Sequence, residues 1–164
     1  MKTQRAHHSV LNPKPPLRNE PMTTIRSEDF VQSIADALQY ISYYHPKDYV
    51  QALARAWERE QSPAAKDAMA QILVNSRMCA EGRRPICQDT GLVVVFVKVG
   101  MQVRWDSDRG LAVLVDEGVR RAYTHPDNIL RASMVSDPLG ARANTGDNTP
   151  AVLHTELIPG DRVE

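Results

Sequence analysis

One run of residues constrains the fold of this chain more than any other: Leu92-Val-Val-Val-Phe-Val-Lys-Val99. β-Branched and aromatic side chains lose rotamer freedom in a helix and pack well on a pleated sheet. Lacking polar alternation, the run reads as a strand buried on both faces, ended by Gly100.

Everything before it has a different period. Ser27 is positioned to cap a helix, with Glu28 and Asp29 in the first turn and Val31, Ile34, Leu38 and Ile41 along one face. His45-Pro46 breaks that pattern, and Pro46 opens a second helix with Val50, Leu53, Ala54 and Trp57 on one side. Ser62-Pro63 repeats the punctuation ahead of Ala65, Met69, Ile72 and Leu73, and Gly82 stands where a closing glycine belongs. Helices joined by such short links predict a small antiparallel layer.

After the strand, Val103–Trp105 reads as a short segment pairing back on it, and Leu111–Tyr123 as a helix with Val115, Val119 and Ala122 inward. Ala151–Ile158 reads as a strand stopped by Pro159-Gly160. The fold class is therefore α+β: an N-terminal antiparallel helical layer, then a mixed β region with a further helix.

Charge narrows the partners. Lysine plus arginine and aspartate plus glutamate each number 20, so zero net charge gives no electrostatic reason to expect nucleic acid or an anionic membrane. Residues 1–21 carry Pro13, Pro15, Pro16 and Pro21 with no apolar period or signal-type apolar core, and read as a disordered extension to a domain at 22–164. Met22 offers an alternative start, and a transit peptide fits poorly because hydroxyl residues are sparse. Two cysteines are too few for a disulfide scaffold, and no apolar run approaches a membrane span. The chain reads as soluble and cytoplasmic.

Chemistry concentrates in Arg84-Pro-Ile-Cys-Gln-Asp-Thr-Gly91, between the third helix and the strand. Cys87 is a soft ligand as thiolate, and Asp89 can accept or orient a proton. Spacing alone equally allows a plain turn, with Asp89-Thr-Gly91 bending the chain into the strand. Arg142-Ala-Asn-Thr-Gly-Asp-Asn-Thr-Pro150 has the composition of a surface loop. Arg131 sits among apolar neighbours that suggest partial burial, where a guanidinium needs a carboxylate from the protein or a substrate. Cys79 reads as core, and the histidines do not cluster; His154 falls in a strand as a core or edge residue.

Cys87-Gln-Asp-Thr-Gly91 after a Pro-Ile step, Asn128–Val135 with Arg131, and Asn144–Ala151 together resemble, in order, blocks of class I (iron–sulfur-dependent) fumarate hydratases and the tartrate dehydratase alpha subunit. The resemblance runs from Thr23 to Glu164. It implies that Cys87 is one of three cysteines holding a [4Fe-4S] cluster whose open iron acts as a Lewis acid. It implies further that Gln88, Asp89 and Arg131 contact a C4 dicarboxylate, with Asp89 assisting a general base from a later region. The implied reaction is reversible hydration of fumarate to L-malate, by a homodimer in full-length members. With Cys79 the only other thiol, the chain supplies one cluster ligand and is expected to be inactive alone, as a fragment or the relic of a broken reading frame. The missing segments are expected to leave the run Leu92–Val99 partly uncovered.

Asp89-Thr-Gly91 also resembles an aspartic-protease signature, but Cys87-Gln88 before it, Leu92 after it and the helical block do not suit an all-β protease. Tartrate rather than fumarate as substrate is the nearer alternative.

Overall fold

The computed structural model describes residues 23–87, 91–127 and 130–164; the stretch read as an extension lies outside them. In chain order the elements are β1 (Thr24–Ile25), α1 (Ser27–Tyr43), α2 (Lys47–Arg59), α3 (Pro63–Gly82), β2 (Val94–Gly100), β3 (Arg104–Trp105), α4 (Leu111–Tyr123) and β4 (Val152–Ile158). The fold is α+β.

β1 and β3 lie in parallel, Thr24 against Arg104 and Ile25 against Trp105. Trp105 packs edge-on against Phe30 at 5.1 Å between ring centres. This pairing delivers Asp106 to the start of α1, where its Oδ1 accepts the Ser27 N–H at 2.8 Å. That amide holds the Asp106 carboxyl below its ordinary range. Ser27 is thus the first helical residue and not the cap; Arg26 occupies the cap position without a side-chain bond, and a distant carboxylate satisfies the helix amide.

α1 packs chiefly on α4, not in a layer with α2 and α3 as its short links suggested. The contact is close because Gly118 faces α1: a Cβ there would lie 2.7 Å from Ile34 Cβ. Gln39, buried, donates from Nε2 to the Ala122 carbonyl at 2.6 Å, near the end of α4 where helix carbonyls lack intrahelical partners. Ala35, Val93, Val115, Val119, Ala122, Tyr123 and Leu130 form the core, with Val95 and Leu153 of the strands against it.

α2 and α3 pack on each other and touch the rest lightly. No residue of α2 is buried, and α3 buries only Ser76 and Cys79. The glycine stop was misplaced by one residue: Gly82 is still helical, and Arg83 takes the left-handed conformation at φ 47°.

β2 and β4 form a parallel pair, Val94 against Val152 through Gly100 against Ile158. Among the described residues both two-stranded sheets are parallel rather than mixed, and antiparallel pairing is limited to isolated bridges at Val99–Val163 and Val135–Asn144. Arg104–Trp105 does not pair back on β2, since its partner is β1. Nor is the apolar run buried on both faces: Val97 is covered, whereas Val94 and Phe96 are 45% and 74% exposed. The core helices cover one side of the pair and leave the other open. Among the described residues, no helix is long and apolar enough to cross a membrane.

Candidate functional site

The approach to Cys87 is fixed from two helices. The Ile86 N–H donates to the Ser42 carbonyl near the end of α1 at 2.8 Å, and Asn75 of α3 donates from Nδ2 to the Ile86 carbonyl at 3.3 Å. Cys87 then emerges exposed on the rim of a cleft of about 410 Å³ between α1 and the start of β2. The cleft is walled mainly by apolar side chains, among them Leu38, Ile41, Leu92, Val93 and Tyr123. Among the described residues no charged side chain lines it. Gln88 and Asp89 lie outside the described residues.

Asn148 joins what the sequence keeps apart. It is fully buried, with φ 61°, a left-handed conformation that asparagine tolerates better than most residues. Its Oδ1 accepts the N–H groups of Ser133 and Met134 at 2.7 and 2.9 Å, and its Nδ2 donates to the Gly91 carbonyl at 3.0 Å. One amide therefore ties the end of the Cys87–Gly91 loop to the segment carrying Arg131. The same segment is held again by Asn144, whose Nδ2 donates to the Ala132 carbonyl at 2.8 Å, and by the Thr145 N–H on the Met134 carbonyl at 2.9 Å. Asp116 of α4 accepts the Ala151 N–H at 2.8 Å, which locks this bracket to the core.

The Arg142–Pro150 stretch is thus not simply a surface loop, although much of it is exposed. Arg131 departs from expectation in the other direction: its neighbour Leu130 is buried at 2% exposure, while Arg131 itself is exposed. At the surface its guanidinium presents the planar fork of donors that matches a carboxylate.

A chain of charges braces the bracket from behind. Arg121 pairs with Glu28 at 2.5 Å and with Glu117 at 3.1 Å; Arg120 pairs with Glu117 at 2.8 Å and with Asp147 at 3.0 Å. The Arg121 hydrogen bond is the main cause lowering the Glu117 carboxyl below its ordinary range. Burial alone would raise Asp147, but bonds from the Thr149 N–H and hydroxyl and from Arg120 outweigh it, and its carboxyl is lowered.

The remaining candidates are structural. Cys79 is buried, its Sγ 3.6 Å from both Asn75 Oδ1 and the Pro85 carbonyl. His45 Nδ1 lies 3.1 Å from Ser76 Oγ, and His154 is exposed with its ring stacked on Phe96, 4.8 Å between centres. Among the described residues, no group of three His, Cys, Asp or Glu could hold a metal ion. Asn148 was missed from composition, being one more turn residue in a turn-rich stretch; the only signal was that Asn144–Ala151 belonged to a resembling block.

These residues define an α+β chain with a loop-borne thiol and an exposed guanidinium segment pinned together beside a parallel strand pair. The sequence matches the family described as fumarate hydratase (Fumerase) over residues 31–164. Similar proteins include a Methanocaldococcus jannaschii protein provisionally named L(+)-tartrate dehydratase subunit alpha, 29% identical over 73% of this chain and 42% of its own length. The anaerobic class I fumarate hydratase of Escherichia coli K12 is 31% identical over 79% of this chain and 23% of its own. The L(+)-tartrate dehydratase subunit alpha of Escherichia coli UTI89 is 28% identical over 80% and 43%. The chain thus spans less than half the length of these relatives. It belongs to the class I fumarate hydratase and tartrate dehydratase alpha family of hydro-lyases.

Proposed function

We propose that residues 23–164 form the first part of an iron–sulfur-dependent hydro-lyase that adds water reversibly to fumarate to give L-malate. The observation that carries this reading is the Asn148 side chain, which joins the three blocks on which the family resemblance rests. In this reading Cys87 is a thiolate ligand of a [4Fe-4S] cluster, and its exposure on a loop suits a ligand that must meet a group held mostly by other residues. Cys79 does not suit that role, being buried against Asn75 and Pro85. The chain therefore brings one of three thiolates, and Cys87 would hold the cluster together with cysteines supplied from elsewhere.

What it contributes is binding and orientation. Arg131 clamps a substrate carboxylate, Gln88 and Asp89 supply further polar contacts, and Asp89 assists proton transfer at carbon. The remaining thiolates and the principal base come from polypeptide outside residues 23–164, so the isolated chain has no hydratase activity.

The test puts residues 31–164 in place of the matching stretch of the E. coli anaerobic class I fumarate hydratase, then rebuilds the cluster anaerobically with iron and sulfide. The chimera is expected to convert fumarate to L-malate and to show cluster absorption, with Cys87→Ser losing both. Full turnover and absorption in Cys87→Ser would remove Cys87 from the ligand set. Turnover of L(+)-tartrate but not fumarate would move the reading to the dehydratase branch, which the chain covers to a larger share. Malate formation by the 164-residue chain alone would overturn the claim that it is incomplete.

A further inference from the structure

Asparagine and aspartate side chains in turn-rich stretches ordinarily bond backbone groups a few residues away. Two neighbours of Asn148 do so. Asn144 Oδ1 accepts the Gly146 N–H at 2.8 Å, and Asp147 Oδ1 accepts the Thr149 N–H and hydroxyl at 3.0 and 2.8 Å. The bonds of Asn148 instead reach 14, 15 and 57 residues along the chain. Its amide is also held in one sense only. Two N–H groups converge on Oδ1 and use both of its lone pairs, so the end that meets the Gly91 carbonyl is the nitrogen, and it donates.

The two arms of this amide differ in what they hold. Oδ1 holds the N–H groups of Ser133 and Met134, which follow Arg131 in the chain. Nδ2 holds Gly91, the far end of the loop that begins at Cys87. The near end of that loop is held from α1, where the Ile86 N–H donates to the Ser42 carbonyl at 2.8 Å. Asn148 itself stands between two anchors on α4: Asp147 bonds Arg120 at 3.0 Å, and Asp116 accepts the Ala151 N–H at 2.8 Å.

We propose that Asn148 is a positioning residue: its carboxamide fixes the separation between the Cys87–Gly91 loop and the Arg131 segment, so that groups on both meet one dicarboxylate. What is positioned rests on the hydro-lyase reading, whereas the fixed separation rests on the three bonds. The requirement is for an amide and not for polarity alone. A carboxylate of the same shape would keep both bonds made by Oδ1 but would turn an acceptor toward the Gly91 carbonyl.

Asn148→Asp therefore separates the two arms, and NMR on the 164-residue chain reads them. Exchange of the Ser133 and Met134 amides is expected to stay within about threefold of the unsubstituted chain. The Leu92 N–H shares a peptide plane with the Gly91 carbonyl, and its order parameter is expected to fall from about 0.85 to below about 0.6. Unchanged order at Leu92 would overturn the proposal. So would a common acceleration of Ser133, Met134 and the core amides of Val115 and Val119, which is global destabilisation. Should Asn148→Asp not fold, Asn148→Gly accepts the φ of 61° and removes both arms. It is expected to loosen Leu92 and Ser133 together, and unchanged order at both would overturn the proposal. In the fumarate hydratase chimera, Asn148→Asp is expected to lose roughly tenfold or more in turnover per bound cluster, a ratio that a smaller folded fraction does not change. Undiminished turnover per cluster would overturn the positioning role and leave the hydro-lyase reading intact. A chimera without hydratase activity before any substitution would overturn that reading instead, and the amide data alone would then decide whether Asn148 fixes the separation.

Discussion

Asn148 has no surface exposure and three hydrogen bonds, yet it stands in a stretch whose composition is that of an exposed turn. Asn148→Ala would leave two backbone N–H groups and the Gly91 carbonyl without this partner and open a void. A loss of about 2–4 kcal/mol is expected from urea unfolding. A loss comparable to an exposed-loop substitution would mean that the bracket is not cooperative with the fold. The charge chain behind it has a pH signature. Glu117 and Asp147 have lowered folded pKa values, so their contribution is complete above the ordinary carboxylate range and is lost as pH falls through the folded values. Urea midpoints are expected to hold near neutrality and decline as pH drops below about 4.5. The acid decline should be shallower in Glu117→Gln; an unchanged slope would remove Glu117 from the account. At this scale Cys87 drew attention because a thiol beside a carboxamide and a carboxylate is an unusual local composition, although spacing alone allowed a plain turn equally. The role of Asn148 was not legible, because asparagine has the same identity whether its amide faces water or two distant backbone segments.

α4 was legible to its boundaries and inward face, since its apolar side chains repeat at helical spacing and one partner covers them. α1 was legible as a helix but its deepest line was not. The buried residues are Val31, Ala35 and Gln39, while Ile41, on the expected stripe, is 63% exposed. The displacement follows from close approach to α4 at Gly118, which favours a small residue and lets one amide reach the Ala122 carbonyl. Gly118→Ala should therefore behave as overpacking. Its added methyl would lie within 2.8 Å of the Val31 carbonyl oxygen and Ile34 Cγ2, atoms that can give only if α1 shifts. Destabilisation of about 1–3 kcal/mol is expected despite the gain in helix propensity. A stabilised Gly118→Ala protein, read from its thermal midpoint, would refute the close contact. β2 is the complementary case: an apolar run reports that a strand forms, but not whether one or two layers cover it.

At the scale of the whole molecule, the α+β character followed from the order of periodic segments, but the grouping of helices did not. Short links suggested that α1, α2 and α3 form one layer, yet a link limits only how far neighbours can separate. Which faces meet is decided by apolar surface. α1 and α4 bury theirs with the strand pair, while α2 buries no residue and α3 buries two. Opening free energy tracks buried apolar contact, so the α2–α3 pair should form a unit of lower stability than the α1–α4 core. Native-state amide exchange should find α2 amides such as Leu53 and Ala54 exchanging orders of magnitude faster than Val115 and Val119 of α4, with urea dependence too weak for global unfolding. Equal rates would mean that the chain opens as one cooperative unit. The distinction bears on the proposed cluster ligand. The approach to Cys87 is held by Asn75 of α3 and Ser42 of α1, so it spans both units. An opening of α2–α3 that carried Asn75 away would release the Ile86 carbonyl while the Ile86 N–H stayed on the Ser42 carbonyl. Ile86 exchange should then follow the α1–α4 rates, because its amide donates to Ser42 and is independent of Asn75.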